Sequence, residues 1–211
     1  MAALSLDLAQ TKLFTSILKK QKGDLRLRAF YPSGHPFKSS DSGRKGEPKR
    51  QIVEEWQNEG RGVYAVINDG GDTDSEITAC RAVFCEWDDR PKEWQIDAWQ
   101  DLGLPEPTLQ VDTGGKSIHN YWVFDEPISV DEWKSLQTRL LDHADADRSL
   151  KNPSRVMRLP GTFHIDSDGQ PGGRTCIIHT SDTYYSARDI EKALPSKKMH
   201  DKMVEANRYT D

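Results

Sequence analysis

The 211-residue sequence has only three cysteines, Cys80, Cys85 and Cys176. No two of them have C-x-x-C spacing, which argues against a zinc ribbon or a disulfide framework. Cys80 and Cys85 lie in or beside an apolar run and read as small core residues. No stretch approaches the ~20 apolar residues that a membrane span requires. The N-terminus, MAALSLDLAQTKLF, lacks the basic flank and unbroken apolar run of a signal peptide. These absences predict a cytoplasmic protein. No internal repeat is visible, and the length suits one globular domain with a short appendage. There is no excess of positive charge either. The net charge of -5 argues against a protein that merely coats a polyanion, but not against one with a local basic groove. One basic cluster is present, Lys38, Arg44, Lys45, Lys49 and Arg50, interrupted by Asp41 and Glu47. Such a run is more often a solvated loop than a binding surface.

Charged residues make up 30% of the chain and the hydrophobic set 35%, so a polar surface surrounds a modest core. The periodicity predicts a helix over 7–20, with Leu13, Phe14, Ile17 and Leu18 at helical spacing and Asp7 as its cap. A strand follows at 25–30, then a Gly/Pro/Ser-rich loop over 31–47. Pro48 starts a helix carrying Ile52, Val53 and Trp56 on one face. Strands are expected at 62–67 and 80–88, separated by NDGGDTDSE. Pro91 opens a helix that Gly103 ends. Residues 108–112 and 117–124 form a hairpin across TGGK. Residues 130–143 are helical, with Trp133, Leu136, Leu140 and Leu141 on the buried side. Strands at 154–158 and 175–179 and a helix at 186–194 complete the domain, 1–194. A polar, frayed tail over 195–211 follows, leading towards a further domain. Strands and helices mix without strict βαβ alternation, which predicts an α+β fold with an antiparallel or mixed sheet covered by helices.

Three segments carry chemistry. In AVFCEWDD, strand alternation puts Glu86 and Asp88 on the face of Phe84, with Val83, Cys85 and Trp87 opposite. Carboxylates at i and i+2 lie ~7 Å apart at their Cα atoms, and their oxygens can converge on a pair of metal ions. Taken alone, an edge strand with solvated acids explains the pair better. In LQVDTGGKSIHNYWVF, Ser117 and His119 share a face, and Lys116 sits at the turn beside two glycines. Hydroxyl, imidazole and ammonium together suit an oxyanion or phosphate cradle, and the glycines allow close backbone approach to a ligand. An ordinary hairpin with a polar edge fits equally well. In ADRSLKNPSRVMRLPGTFH, Asp147 follows the helix, Arg155 and Arg158 flank an apolar run, and Pro160-Gly161 forces a turn. Arg158 has buried-looking neighbours and needs an anionic partner.

In order and spacing these segments resemble the archaeo-eukaryotic primase superfamily, especially the primase-polymerase domains found beside helicases in replication proteins. The resemblance runs from about residue 60 to 180. The acidic pair Glu86 and Asp88, the small-x-His Ser117-Ile118-His119, and Asp147 through the Arg-Leu-Pro-Gly run at 158–161 match its three motifs. The pair stands here as Glu-x-Asp rather than Asp-x-Asp/Glu. The resemblance implies a core related to the RNA-recognition-motif fold beside an N-terminal α/β subdomain. It implies that Glu86, Asp88 and Asp147 hold two Mg²⁺ or Mn²⁺ ions, with Asp145 and Asp89 competing for the third place. It implies that Lys116, Ser117 and His119 bind the incoming nucleoside triphosphate, assisted by Arg158. Single-stranded DNA template, primer strand, NTP or dNTP, and a helicase domain or protein are the partners that follow.

Three other classes compete. His143-Ala144-Asp145 with His164 or His179 could make an iron-binding facial triad, although the pair sits at a helix end. His119 and Tyr121 are the nearest approach to a nicking initiator's histidine and nucleophilic tyrosine. A non-catalytic single-strand-binding module would use the tryptophans and tyrosines for stacking, but most of these sit at core positions.

Overall fold

In the computed structural model, residues 4–21, 23–200 and 202 are described. The elements run α1 (Leu8–Ile17), β1 (Leu27–Phe30), β2 (Arg44–Gly46), α2 (Arg50–Asn58), β3 (Gly62–Val66), β4 (Asp69–Gly70) and β5 (Ile77–Cys85). They continue with α3 (Lys92–Asp101), β6 (Leu109–Asp112), β7 (Ile118–Ile128), α4 (Val130–His143) and β8 (Val156–Arg158). Strands β9 (Phe163–Ile165), β10 (Pro171–Arg174) and β11 (Cys176–Thr180) and helix α5 (Ala187–Ala193) complete the order. The fold is α+β, as the mixed element order predicts. One sheet has the order β2-β1-β3-β8, a second β11-β6-β7-β5-β4, and β9 and β10 form a separate pair. Neighbouring strands in these sheets are antiparallel. The run β5-α3-β6-β7-α4 followed by β11 has the β-α-β-β-α-β order of RNA-recognition-motif-like folds, with its last strand on the β6 edge.

The central strands are continuous apolar runs because both of their faces are covered. Val83, Phe84, Cys85 and the stretch Tyr121–Phe124 are buried. Helix α4 grips β5 through two buried polar side chains as well as leucines. Trp133 Nε1 donates to the Ala82 carbonyl at 2.7 Å. Gln137 accepts from the Phe84 amide at 3.1 Å and donates to the Phe84 carbonyl at 2.8 Å. The backbone two residues before Glu86 is thereby fixed. On the other side Phe14 of α1 meets Tyr121 of β7 edge-on, with ring centroids 5.9 Å apart.

The N-terminal sheet is not closed by N-terminal residues alone. Strand β8 pairs with β3, in the register Tyr64 to Arg158, so the third motif segment completes it. The following Pro160-Gly161 turn docks under α1. The Asp7 amide donates to Gly161 O at 2.9 Å, and Thr11 Oγ1 donates to Pro160 O at 2.8 Å. Gly161 has φ +94°, and a Cβ there would lie 2.1 Å from Asp7 O. Gly161→Ala is therefore expected to destabilise the fold by on the order of 2–3 kcal/mol. An unchanged midpoint in thermal denaturation would refute that role.

Several boundaries differ from the sequence expectation. The strand expected over 80–88 starts at Ile77 and ends at Cys85. The 31–47 loop contains β2, which pairs with β1. It is also pinned by Asp41, which accepts both terminal nitrogens of the buried Arg61 guanidinium, at 2.6 and 3.0 Å. The short strands β4, β9 and β10 were not expected. Of the tail, residue 201 and residues 203–211 lie outside the described residues. The part at 195–200 is docked rather than frayed. Arg139 donates to Pro195 O at 3.0 and 2.7 Å, and His200 meets Asp142 at 2.7 Å. No described helix is long and apolar enough to cross a membrane.

Candidate active site

Where the two large sheets meet, a cleft of about 580 Å³ opens. One wall comes from β1, β3 and β8 and contributes Phe30, Tyr64 and Arg158. The other comes from the end of β5 and the β6–β7 turn and contributes Glu86, Asp88, Lys116, Ser117 and His119. Lys38, Arg155 and His164 also line it. Six of the seven residues assigned from the sequence are therefore brought together.

The alternation argument survives although β5 stops at Cys85. Phe84 is in register with Tyr121, and Glu86 and Asp88 continue on that face into the cleft. Trp87 turns inward, donating from Nε1 to Ala144 O at 2.9 Å and packing edge-on against Trp94. Ser117 and His119 stand on the same face and each takes one acid. Ser117 Oγ donates to Asp88 Oδ1 at 2.8 Å, and His119 Nε2 lies 3.0 Å from Glu86 Oε2. His119 Nδ1 meets the Tyr121 hydroxyl at 3.2 Å, which sets the ring's orientation. Lys116 reaches Asp88 at 3.9 Å and remains largely exposed. Burial pushes the Glu86 carboxyl up, but His119, Ser117 and Arg158 outweigh it and hold the group below its ordinary value. Glu86 is therefore ionised at neutral pH.

Arg158 is half-buried, with its guanidinium 5.1 Å from the Tyr64 ring centroid. Gly62 makes room for it. A Cβ there would lie 2.9 Å from the Tyr64 hydroxyl and 3.2 Å from an Arg158 terminal nitrogen. No carboxylate of the described residues lies within 4.0 Å of Arg158.

Asp147 is the exception. Its amide donates to Glu86 O at 3.1 Å, so its backbone adjoins the site. Its carboxylate instead caps the 3-10 turn Arg148–Lys151, accepting from the Ser149 amide at 2.8 Å and the Ser149 hydroxyl at 2.5 Å. Asp145 is tied to Arg148 at 3.3 Å, outside the cleft lining. Among the described residues no three His, Cys, Asp or Glu side chains converge as a metal site.

The two turn glycines serve the protein's own packing. A Cβ on Gly114 would sit 2.3 Å from Gly173 O, and one on Gly115 would sit 2.9 Å from the His164 ring. His164 was not assigned to this site from the sequence. Its position three residues after Gly161 in the Arg-Leu-Pro-Gly run was the available signal. Burial, then the nearby Arg158, hold it below the usual imidazole range, and its buried Nδ1 has no hydrogen-bond partner among the described residues.

The competing sites do not assemble. His143 Nε2 is engaged with Leu102 O at 2.9 Å, and His179 lies beside Glu106 at 3.1 Å, so neither reaches Asp145 as a triad would need. Tyr121 is fully buried and has no open path as a nucleophile.

No protein-family model matches the chain, and no curated protein matches it significantly. Among solved structures it is similar to the AEP domain of the cyanophage S-2L primase-polymerase. The two are 38% identical with a TM-score of 0.83, over 91% of this chain and 100% of that domain. The chain belongs to the archaeo-eukaryotic primase-type primase-polymerases. It is thus a nucleotidyltransferase. The primase-polymerase domain also resembles primase RepB′ at 13% identity and a TM-score of 0.62, covering 96% of this chain and 65% of that one. The catalytic domain of RepB′ in complex with initiator DNA gives 14% and 0.60, covering 96% and 100%. At these identities the RepB′ structures speak for the fold alone.

Proposed function

We propose that this domain adds nucleotides to a strand on a single-stranded DNA template, using two divalent cations, Mg²⁺ or Mn²⁺. The observation that supports this best is the placing, across one cleft, of Glu86 and Asp88 opposite Arg158, which has no carboxylate within 4.0 Å among the described residues. Glu86 and Asp88 offer hard oxygen donors on one wall, the type these ions take. Glu86 and Asp88 would hold such ions, whose charge would offset that of the triphosphate and make the attacking 3′-hydroxyl more acidic. Asp147 adds a third oxygen donor only by releasing Ser149. The residues of the chain supply position and charge, which is most of what phosphoryl transfer needs from a protein. Lys116 and Arg158 face the triphosphate from opposite walls, and Ser117 and His119 orient the acids, each turning its donor to a phosphate oxygen only by releasing Asp88 or Glu86. Residues 1–194 form the catalytic unit, and a helicase in the same or another chain is its partner.

Primer extension on a single-stranded template, with and without Mg²⁺ or Mn²⁺, is the direct test. Metal-dependent extension is expected. Metal-indifferent binding without extension, or a covalent tyrosyl-DNA adduct, would sink the proposal. A second measurement isolates His119. Its imidazole joins Glu86 to Tyr121 inside the cradle, so His119→Ala should raise the KM for nucleotide about tenfold or more while template affinity holds. Unchanged KM and rate would remove His119 from the nucleotide site.

A further inference from the structure

The face of the N-terminal sheet that turns to the cleft carries more positive charge than a nucleotide needs. Arg28 of β1 is in register with Tyr64 of β3, and Tyr64 with Arg158 of β8. Cross-strand partners project to one face, so the three stand in a row. The opposite face, with Leu27, Ala29, Val63, Ala65 and Met157, is buried. Two strand spacings separate Arg28 from Arg158, about 10 Å at the backbone. Two residues along β1, the Phe30 ring holds two cations, Arg28 at 5.0 Å and Lys38 at 5.1 Å from its centroid. Gly43 leaves room for that ring, since a Cβ there would lie 2.6 Å from it.

These two cations differ from their neighbours in one respect. Arg44 lies 3.6 Å from Asp41, Lys45 3.3 Å from Asp72, Lys49 3.1 Å from Glu47 and Arg50 2.9 Å from Glu54. Arg28 and Lys38 have no described carboxylate within 4.0 Å. Among the described residues Arg28 donates to a backbone carbonyl alone, Asp72 O at 3.3 Å, and its buried Nε has no acceptor. Unpaired cations with open donor capacity call for an anion. The carboxylates are on the far wall, and Arg158 stands between them and Arg28. The triphosphate belongs near the carboxylates, so the outer cations suit the backbone of a strand.

We propose that Arg28 and Lys38, mounted on Phe30, form a phosphate track that leads the single-stranded DNA template into the cleft. The proposal rests on the polymerase reading above, which makes the strand DNA. Each phosphate contact made by such a cation displaces a condensed counterion. The salt dependence of binding therefore counts the contacts.

The test is the affinity of an unprimed, fluorescein-labelled oligothymidylate, read by anisotropy over a salt series without divalent metal. The Arg28→Ala/Lys38→Ala variant should bind about tenfold more weakly. Its log-log salt slope should be shallower by ~0.7 for each lost contact. Arg50→Ala removes one charge that Glu54 already neutralises and should leave both quantities unchanged. Wild-type affinity and slope in the double variant would overturn the track. So would an equal loss in Arg50→Ala, which would make the effect one of net charge. A raised nucleotide KM with intact oligonucleotide affinity would move the two cations to the triphosphate and overturn it as well. If Arg28→Ala does not fold, Lys38→Ala and Arg28→Gln decide by the same readouts. A wild type that binds the strand but extends no primer with either metal would defeat the polymerase reading alone, and the binding comparison would still decide the track.

Discussion

Asp88→Ala and Glu86→Ala should each reduce nucleotide addition by about 10²- to 10³-fold, the scale expected for removing a single preorganised charge-stabilising group. Both acids sit where β5 delivers them to the cleft, beyond a backbone locked by Gln137. Each removes half of the hard-oxygen donor set on that wall. Their effects on stability should differ. Asp88 is 63% exposed at its side chain, so its loss leaves the melting temperature nearly unchanged. Glu86 is the partner of a buried imidazole, and its loss leaves His119 with Tyr121 alone. A cost of about 1–3 kcal/mol follows. The pH dependence provides a check that does not involve catalysis. Glu86 has a lowered value in the folded state. The stability it contributes is complete above the ordinary glutamate value of about 4.3 and fades as pH falls through the lowered folded value. The melting-temperature gap between wild type and Glu86→Ala should therefore narrow in acid. Normal extension by either variant would remove the pair from the site. A gap that widens in acid would contradict the pairing with His119.

What the sequence made legible was local. The 130–143 helix matches α4 because its apolar spacing is regular, and the structure adds the Ser129 cap and acidic first turn that start it. The side on which Glu86, Asp88, Ser117 and His119 lie follows from the two-residue strand period, which operates without knowledge of the partner strand. On the opposite wall the strand at 154–158 and Arg158 were legible, but not the pairing that builds the wall. Strand β8 is three residues long, too short to show a period, and its pairing with β3 spans some ninety residues of sequence. Tyr64 and Phe30 are set beside Arg158 and Arg28 by register, which no local pattern in the sequence carries. Asp147 was ambiguous for another reason. An Asp before Arg-Ser is an equally good turn cap, and capping is where its carboxylate is engaged. Gly114 and Gly115 show the same limit, since the sequence marks a need for space but not what fills it.

Arg158→Lys should lower kcat/KM by roughly 10- to 100-fold while the melting temperature falls by no more than about 2 °C. The sequence left two partners open for this guanidinium, the acidic cluster or the triphosphate. The structure offers no carboxylate within 4.0 Å among the described residues. Arg158 acts on Glu86 only through the field, as the weakest of the influences holding that acid ionised. Its guanidinium lies over the Tyr64 ring at 5.1 Å, an interaction worth about 0.5–1 kcal/mol at a partly exposed site. Little folding energy is therefore tied up in it. What the group retains is a planar fork of donors facing the cleft, in space kept open by Gly62. Lysine preserves the charge but presents it as a point, without the paired donors that match two phosphate oxygens. The loss should therefore appear in turnover and nucleotide KM, not in folding. Thermal melts and single-nucleotide extension on the same preparations separate the possibilities. A large fall in melting temperature, with unchanged specific activity of the folded fraction, would make Arg158 a structural residue of the β3–β8 pair.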